Sequence, residues 1–269
     1  MIKNNTLKNQ DQEILSQPGL FMLRQFLRIT RHFFPNKDFM IKNTVQDPRK
    51  WGCQYTLNEM LWAGIMLFVL RADSRNVINQ CRRSASFQKN YQSLFNKKCP
   101  HMDSLHKLIP RLNEEDLENL LSQYVHVLMK KKVLKPFMTK DNRYIVAIDG
   151  TGVVSFDYPH CKDCLTKTHR SGKKTWFHSV LEARLVGSNG FSLPLAVEWI
   201  ANSGQPYEKQ DCELKAFKRL AEKLANAFKR ARFLIVADAL YANEPFMTIC
   251  RKKRWAFIVN FKPGNLKTV

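Results

Sequence analysis

Two short apolar runs, each ending in an aspartate, constrain this chain more than any other feature. Residues 144–150 read Tyr-Ile-Val-Ala-Ile-Asp-Gly, and residues 233–238 read Phe-Leu-Ile-Val-Ala-Asp. Four of the first five residues of the first run are β-branched or aromatic, a composition that suits a buried central strand. Each run then delivers a carboxylate, Asp149 or Asp238, where the strand leaves the core. If the two strands are neighbours, the carboxylates converge on one edge of a sheet. Oxygen ligands of that kind suit a hard divalent cation, Mg²⁺ or Mn²⁺. Paired metals so held drive in-line phosphoryl chemistry. The competing reading is that each aspartate merely caps a turn.

Charge narrows the partner. Lys and Arg number 44 against 23 Asp and Glu, a formal charge of +21. That exceeds what solubility needs and favours a polyanion, nucleic acid first among them. The seven cysteines are odd in number and mostly scattered, which argues against a secreted disulfide framework. The most apolar stretch, 60–70, is interrupted by Gly64, ended by Arg71 and too short to span a bilayer. A cytoplasmic protein with no membrane partner is the expectation.

Hydrophobic periodicity divides the chain into a polar arm (1–17), a helical domain (18–139) and a mixed α/β domain (140–269). In the helical part, apolar spacing predicts helices over 20–34, 57–70, 102–112 and from Asn113 to Lys132, with a further one starting at Val77. Thr56 followed by Glu59 is a capping box. Several short helices with basic loops suit a DNA reader, and Arg82-Arg83 is a candidate phosphate contact. From residue 140 the pattern becomes strand, hairpin, helix, strand, helix, strand. The hairpin joins 176–186 to 191–200 through Gly187-Ser188-Asn189-Gly190. Between Thr151 and Thr175 a loop is expected. The fold class is therefore α+β, an all-helical domain followed by a mixed sheet with flanking helices.

That loop carries a second candidate site. His160-Cys161-Lys162-Asp163-Cys164 is a Cys-x₂-Cys unit with a neighbouring histidine. The spacing lets both thiolates reach one tetrahedral Zn²⁺, with His160, His169 and His178 available for the remaining positions and His160 with His169 the set expected. Two reduced cysteines in a loop are the bland alternative. Arg170, Lys173 and Lys174 follow and suit DNA phosphates, or simply a solvated loop. Asp211 and Glu213 open a helix, where acidic side chains complement the dipole.

Taken together, Ala147-Ile148-Asp149-Gly150-Thr151, Gln210-Asp211-Cys212-Glu213 and the run from Val236 through Asp238 to Asn243 resemble the DDE transposases of bacterial insertion sequences. The resemblance covers about 140–269. It implies a ribonuclease H-like catalytic domain, with Asp149 and Asp238 as the first two catalytic carboxylates and Mg²⁺ or Mn²⁺ between them. It implies terminal inverted repeats and target DNA as partners, a homodimer when synapsed, and a bacterial, nucleoid-associated location. The family takes its third carboxylate, a glutamate, from a helix after the last strand. After Asp238 this sequence offers only Glu244. The expectation is therefore a transposase whose catalytic domain is C-terminally incomplete and impaired. Two other readings stand beside it. One is a metal-dependent nuclease complete at this length, drawing its third carboxylate from Asp211, Glu213 or Glu244. The other is a non-catalytic protein that occupies transposon ends.

Overall fold

The computed structural model describes residues 17–50, 52–188, 190–202 and 210–261. The arm expected over 1–17 lies outside the described residues save for Gln17. So do Asn189 of the expected hairpin turn and most of the loop before Gln210. Two compact units divide at Val127 and Leu128. The division falls inside a helix, earlier than the change of sequence texture at residue 140.

The first unit is helical. It contains α1 (Gln17–Phe33), α2 (Lys37–Thr44), α3 (Leu57–Val69), α4 (Arg75–Cys81), α5 (Ala85–Phe95), α6 (Met102–Leu108) and most of α7 (Glu114–Lys130). Its core gathers Met60, Trp62, Ala63 and Met66 of α3 with Ile78, Tyr91, Met102, Leu105 and Leu108. The start of α3 is fixed as the sequence predicts. The Glu59 N–H donates to Thr56 Oγ1, and the Thr56 N–H donates to the Glu59 carboxylate at 2.9 Å. A cap of this kind is worth about 1 kcal/mol. Helix α5 is not announced by periodicity. Its aromatics do the work instead, with Tyr91 buried against Phe87 and Phe95.

The second unit carries a six-stranded mixed sheet: β1 (Tyr144–Phe156), β2 (Leu165–Thr168), β3 (Lys174–Val186), β4 (Ser192–Ile200), β5 (Phe233–Ala237) and β6 (Ala256–Val259). The strand order is β2-β3-β1-β5-β6, with β4 also paired to β3. Strands β1, β3 and β4 form an antiparallel meander, whereas β5 runs parallel to β1 and β6 parallel to β5. Helix α8 (Glu213–Ala227) connects β4 to β5, and α9 (Glu244–Lys252) connects β5 to β6. Parallel neighbours require crossovers of this length.

Both helices pack on the sheet face that carries Val146, Ile148, Leu181, Ala183, Leu185 and Ile235, all nearly inaccessible. Phe217 of α8 meets Phe246 of α9 at 4.8 Å between ring centroids, and Phe246 meets Phe257 of β6 at 5.8 Å. The other side chains of β1 and β5, Ile145, Ala147, Leu234 and Val236, are only half-buried.

One expectation needs correction. The stretch after Asp149 is not a loop to Thr175. Strand β1 continues to Phe156, pairing with β3 as far as Trp176, because Thr151, Val153, Val154 and Phe156 are good strand formers. The register shifts between Gly152 and Val154, a bulge at the point where the apolar core ends. The β2–β3 hairpin then closes around Gly172, whose φ of +80° suits glycine.

Phe217 is 1% exposed and touches Tyr241 and Phe246. Phe217→Ala should cost the sheet unit about 3–5 kcal/mol. Denaturant unfolding should show that loss, while hydrogen exchange in α3 of the helical unit stays unchanged.

Candidate functional site

The parallel pairing of β1 with β5 decides where the two aspartates go. The register runs from Tyr144 opposite Phe233 to Ala147 opposite Val236. Asp149 lies two residues further along β1, and Asp238 directly follows the last residue of β5, so continuing the register brings both to about the same level. Both are exposed. On its other side Asp149 is paired in register with Glu182. Asp238 also has a local role, since its Oδ1 accepts the Leu240 N–H at 2.9 Å and caps the 3₁₀ turn Ala239–Tyr241. The turn-cap reading and the ligand reading are thus compatible for this residue.

A third carboxylate lies near enough to feel the charge of both. Glu213 opens α8, and a Cβ placed on Gly150 would collide with its carboxylate. The residue after Asp149 is therefore small where Glu213 approaches β1. The Tyr241 hydroxyl donates to Glu213 Oε2 at 3.2 Å. Burial pushes the Glu213 carboxyl above the ordinary glutamate range, the Tyr241 bond opposes that, and the charges of Asp238 and Asp149 raise it further. Tyr241 is itself buried, and burial together with the Glu213 charge pushes its hydroxyl well above the usual tyrosine value.

The other two acidic candidates are engaged elsewhere. Asp211 Oδ2 lies 2.6 Å from the Arg219 guanidinium, which also holds Glu198 Oε1 at 2.6 Å. Lys223 adds a second ion pair to the nearly buried Glu198. This network fastens α8 to β4. Glu244 pairs with Arg251 at 2.7 Å and accepts from Thr248, both within its own helix. Arg251 and Thr248 hold its carboxyl below the ordinary range. Glu213, by contrast, feels the charges of Asp149 and Asp238.

The second site is closer-knit. One ligand atom from each of His160, Cys161, Cys164 and His178 lies within 4.8 Å of every other, the one such group among the described residues. The carboxylates are not gathered as tightly. His169 is not in the group. Its Nε2 lies 2.9 Å from Thr175 Oγ1, further along the β2–β3 hairpin. His178 takes the place expected for it because the extended β1 pairs Val154 with His178 and so brings β3 beside the cysteine turn. A loop reading of 151–175 hides that neighbourhood.

The basic candidates separate. Arg82 is held inside the helical unit, donating to the Cys99 carbonyl at 2.9 Å and to the Tyr55 hydroxyl at 3.0 Å. Its guanidinium supports packing. Arg83 is exposed. Arg170, Lys173 and Lys174 are exposed on the β2–β3 hairpin, where Lys173 pairs with the exposed Asp157. A further basic row on α1 lines a groove. Arg24, Arg28 and Arg31 border a cavity of about 450 Å³ with Ser93 and Leu94.

No protein-family model matches this chain, and no curated protein matches it.

The raised Glu213 carboxyl gives a signed prediction. The folded chain holds that proton to higher pH than the unfolded chain, so stability should fall as pH rises from the ordinary glutamate range through the raised value. A divalent cation bound beside these carboxylates would offset the repulsion, and Mg²⁺ or Mn²⁺ would then raise the thermal midpoint more at the upper end of that window. Glu213→Gln should flatten both trends. Gly150 does not use a left-handed conformation, so Gly150→Ala should leave the fold intact while displacing the Glu213 carboxylate. Its cation response in the same titration should shrink towards that of Glu213→Gln.

Proposed function

We propose that this chain is a DNA transposase that cuts and joins DNA at a site made of Asp149, Asp238 and Glu213. The observation that carries the reading is Glu213, a carboxylate raised in part by both aspartates and set against Gly150. Three negative groups brought together from two strands and a helix start repel one another, and a cation offsets that cost. The all-oxygen donor set suits Mg²⁺ or Mn²⁺. When bound there, such an ion would polarise a phosphodiester and acidify an attacking water.

The chain's own residues define what surrounds that chemistry. Asp149 stands on β1 and Asp238 directly follows its parallel partner β5, so the strand pairing sets their relative position before any ligand arrives. Glu213 carries a carboxyl with raised proton affinity, and the Tyr241 hydroxyl orients it. Glu182, next to Asp149 in register, is drawn towards Arg184 at 3.2 Å. On this reading water cuts the phosphodiester, and the freed 3′-hydroxyl then attacks target DNA.

The strand order, with an antiparallel meander on one side of β1 and two parallel strands on the other, supports a ribonuclease H-like assignment for the sheet unit. The formal charge of +21 and the arginine row of α1 support a phosphate-backbone partner. A second reading has its own observation. The third carboxylate here precedes Asp238 in the chain, whereas the transposases that the motifs resemble take theirs from a helix after the last strand. That arrangement favours a metal-dependent nuclease that cuts without joining.

Nicking of supercoiled plasmid by the purified chain should require Mg²⁺ or Mn²⁺. Asp149→Asn, Asp238→Asn and Glu213→Gln should each slow it by about 100-fold or more, the loss of several kcal/mol of transition-state stabilisation. Glu244→Gln should leave the rate within about twofold, as for a surface ion pair. Strand transfer of a pre-cut 3′ end separates transposase from nuclease. Salt-sensitive DNA binding without nicking, unchanged in Asp149→Asn, would sink the catalytic reading and leave a DNA-occupying protein.

A further inference from the structure

We propose that His160, Cys161, Cys164 and His178 bind one structural Zn²⁺ ion, which staples the ribbon formed by the second half of β1, β2 and the start of β3. The separations suit that ion. Cys161 Sγ and Cys164 Sγ are 3.6 Å apart, and His178 Nε2 lies 3.3 Å from the first and 3.4 Å from the second. A tetrahedral Zn²⁺ at about 2.3 Å from sulfur and about 2.0 Å from nitrogen places its ligands ~3.8 Å (S···S) and ~3.5 Å (S···N) apart. The two sulfurs are much further apart than the roughly 2.05 Å of a disulfide. His160 supplies the fourth ligand, within 4.8 Å of the other three, and its ring is stacked on Phe156 at 4.1 Å. The turn that presents the thiols is closed by the Cys164 N–H on the Cys161 carbonyl, and the buried Asn202 donates to the Cys164 carbonyl at 3.0 Å.

Donor chemistry selects the metal. Two thiolates and two imidazoles suit zinc and exclude a hard cation, so this site is chemically distinct from the carboxylates. Two thiols give up their protons to solvent, and the resulting dianion balances the ion's charge. Four protein ligands close the coordination shell, which makes the role structural.

The ribbon also lacks the means to hold itself. Between Thr151 and Ser179 only Cys164 and Leu165 are buried, while Val153, Val154 and Tyr158 are more than 40% exposed. Backbone pairing with so little apolar burial is marginal, and a metal is one of the few devices that compensates. The ligands are well placed for this. The cysteine turn follows β1, and His178 lies on β3, so one ion joins the connection to the strand against which β1 pairs. The hairpin that carries Arg170, Lys173 and Lys174 emerges from the stapled part.

The test is the metal content of the full chain, purified in zinc-supplemented buffer and freed of loose ions by gel filtration. One zinc per chain is expected. Co²⁺ exchanged into the site should show the ligand-field and thiolate charge-transfer bands of a tetrahedral two-sulfur centre. Cys161→Ser, Cys164→Ser and His178→Ala should lose the metal, whereas His169→Ala should keep it. His178→Cys should retain one ion and move the cobalt spectrum towards a three-thiolate centre, which separates loss of a ligand from loss of fold. Chelation should speed hydrogen exchange across 151–179 and leave α8 protected. A chain that binds no zinc, a His178→Ala protein with an unchanged cobalt spectrum, or a Cys161–Cys164 disulfide in the purified protein would each overturn the proposal.

Discussion

The parallel pairing of β1 with β5 is the constraint on which the sheet unit depends. It is a non-local contact, since β2, β3, β4 and helix α8 lie between the two strands in sequence. Burial holds the pair together. Val146, Phe233 and Ile235 are inaccessible, and Phe217, Leu220 and Leu224 of α8 lie in the same core. Because parallel strands leave their C-terminal ends on the same side, the next polar residue on each faces the same opening. Apolar burial, which has no interest in carboxylates, sets two of them side by side.

The segment Gln210-Asp211-Cys212-Glu213 shows how compactly the rest is joined to that pair. The Gln210 side chain accepts the Thr166 N–H at 2.6 Å and donates to the Thr166 carbonyl at 3.0 Å, so it reads the edge of β2 as a strand would. Asp211 takes the Arg219 guanidinium and locks the first turns of α8 to β4. Cys212 is the N-cap residue but makes no side-chain cap bond. Glu213 turns inward to Tyr241. Four successive residues thus tie the ribbon, the meander, the helix and the carboxylate site. Beyond β5 the chain repeats the economy. Asp238 caps one turn, Tyr241 holds Glu213, and Asn243 caps α9 by accepting the Phe246 N–H at 3.1 Å.

The parts of this fold that were legible in the sequence are those fixed by local chemistry. The capping box at Thr56, the two apolar strands with their terminal aspartates, the β3–β4 pairing and the amphipathic α8 all announce themselves over a few residues. The extension of β1 past Asp149 did not, because Gly150 and Gly152 read as punctuation, whereas the pairing with β3 that overrides them is non-local. His178, named among the candidate zinc ligands, was passed over for His169 for the same reason, since it approaches the cysteines only through that pairing. Glu213 looked like an acidic helix start, and it is one. Its approach to β1 depends on the small residue at Gly150, sixty-three positions earlier. Arg82 failed in the opposite direction. A basic pair reads as exposed, yet one guanidinium of the pair satisfies a carbonyl and a hydroxyl inside the helical unit.

The two candidate metal sites share one strand, and their chemistry keeps them apart. Asp149 and Val154, the β1 residue paired with His178, are five positions apart, which is about 17 Å along an extended strand. At one level the donors are all oxygen, and the carboxylates are exposed or half-buried and spread loosely. At the other they are sulfur and nitrogen, set at the spacing of a closed tetrahedron. A hard cation gains little from thiolates, and zinc that meets the carboxylates finds no tight four-ligand set to match the one nearby. The two donor sets therefore suit different cations, a hard one at the carboxylates and zinc at the sulfur and nitrogen donors. A ribbon held rigid at the soft site would in turn fix where its basic hairpin stands relative to the hard one, since β1 is continuous between them except for the bulge at Gly152.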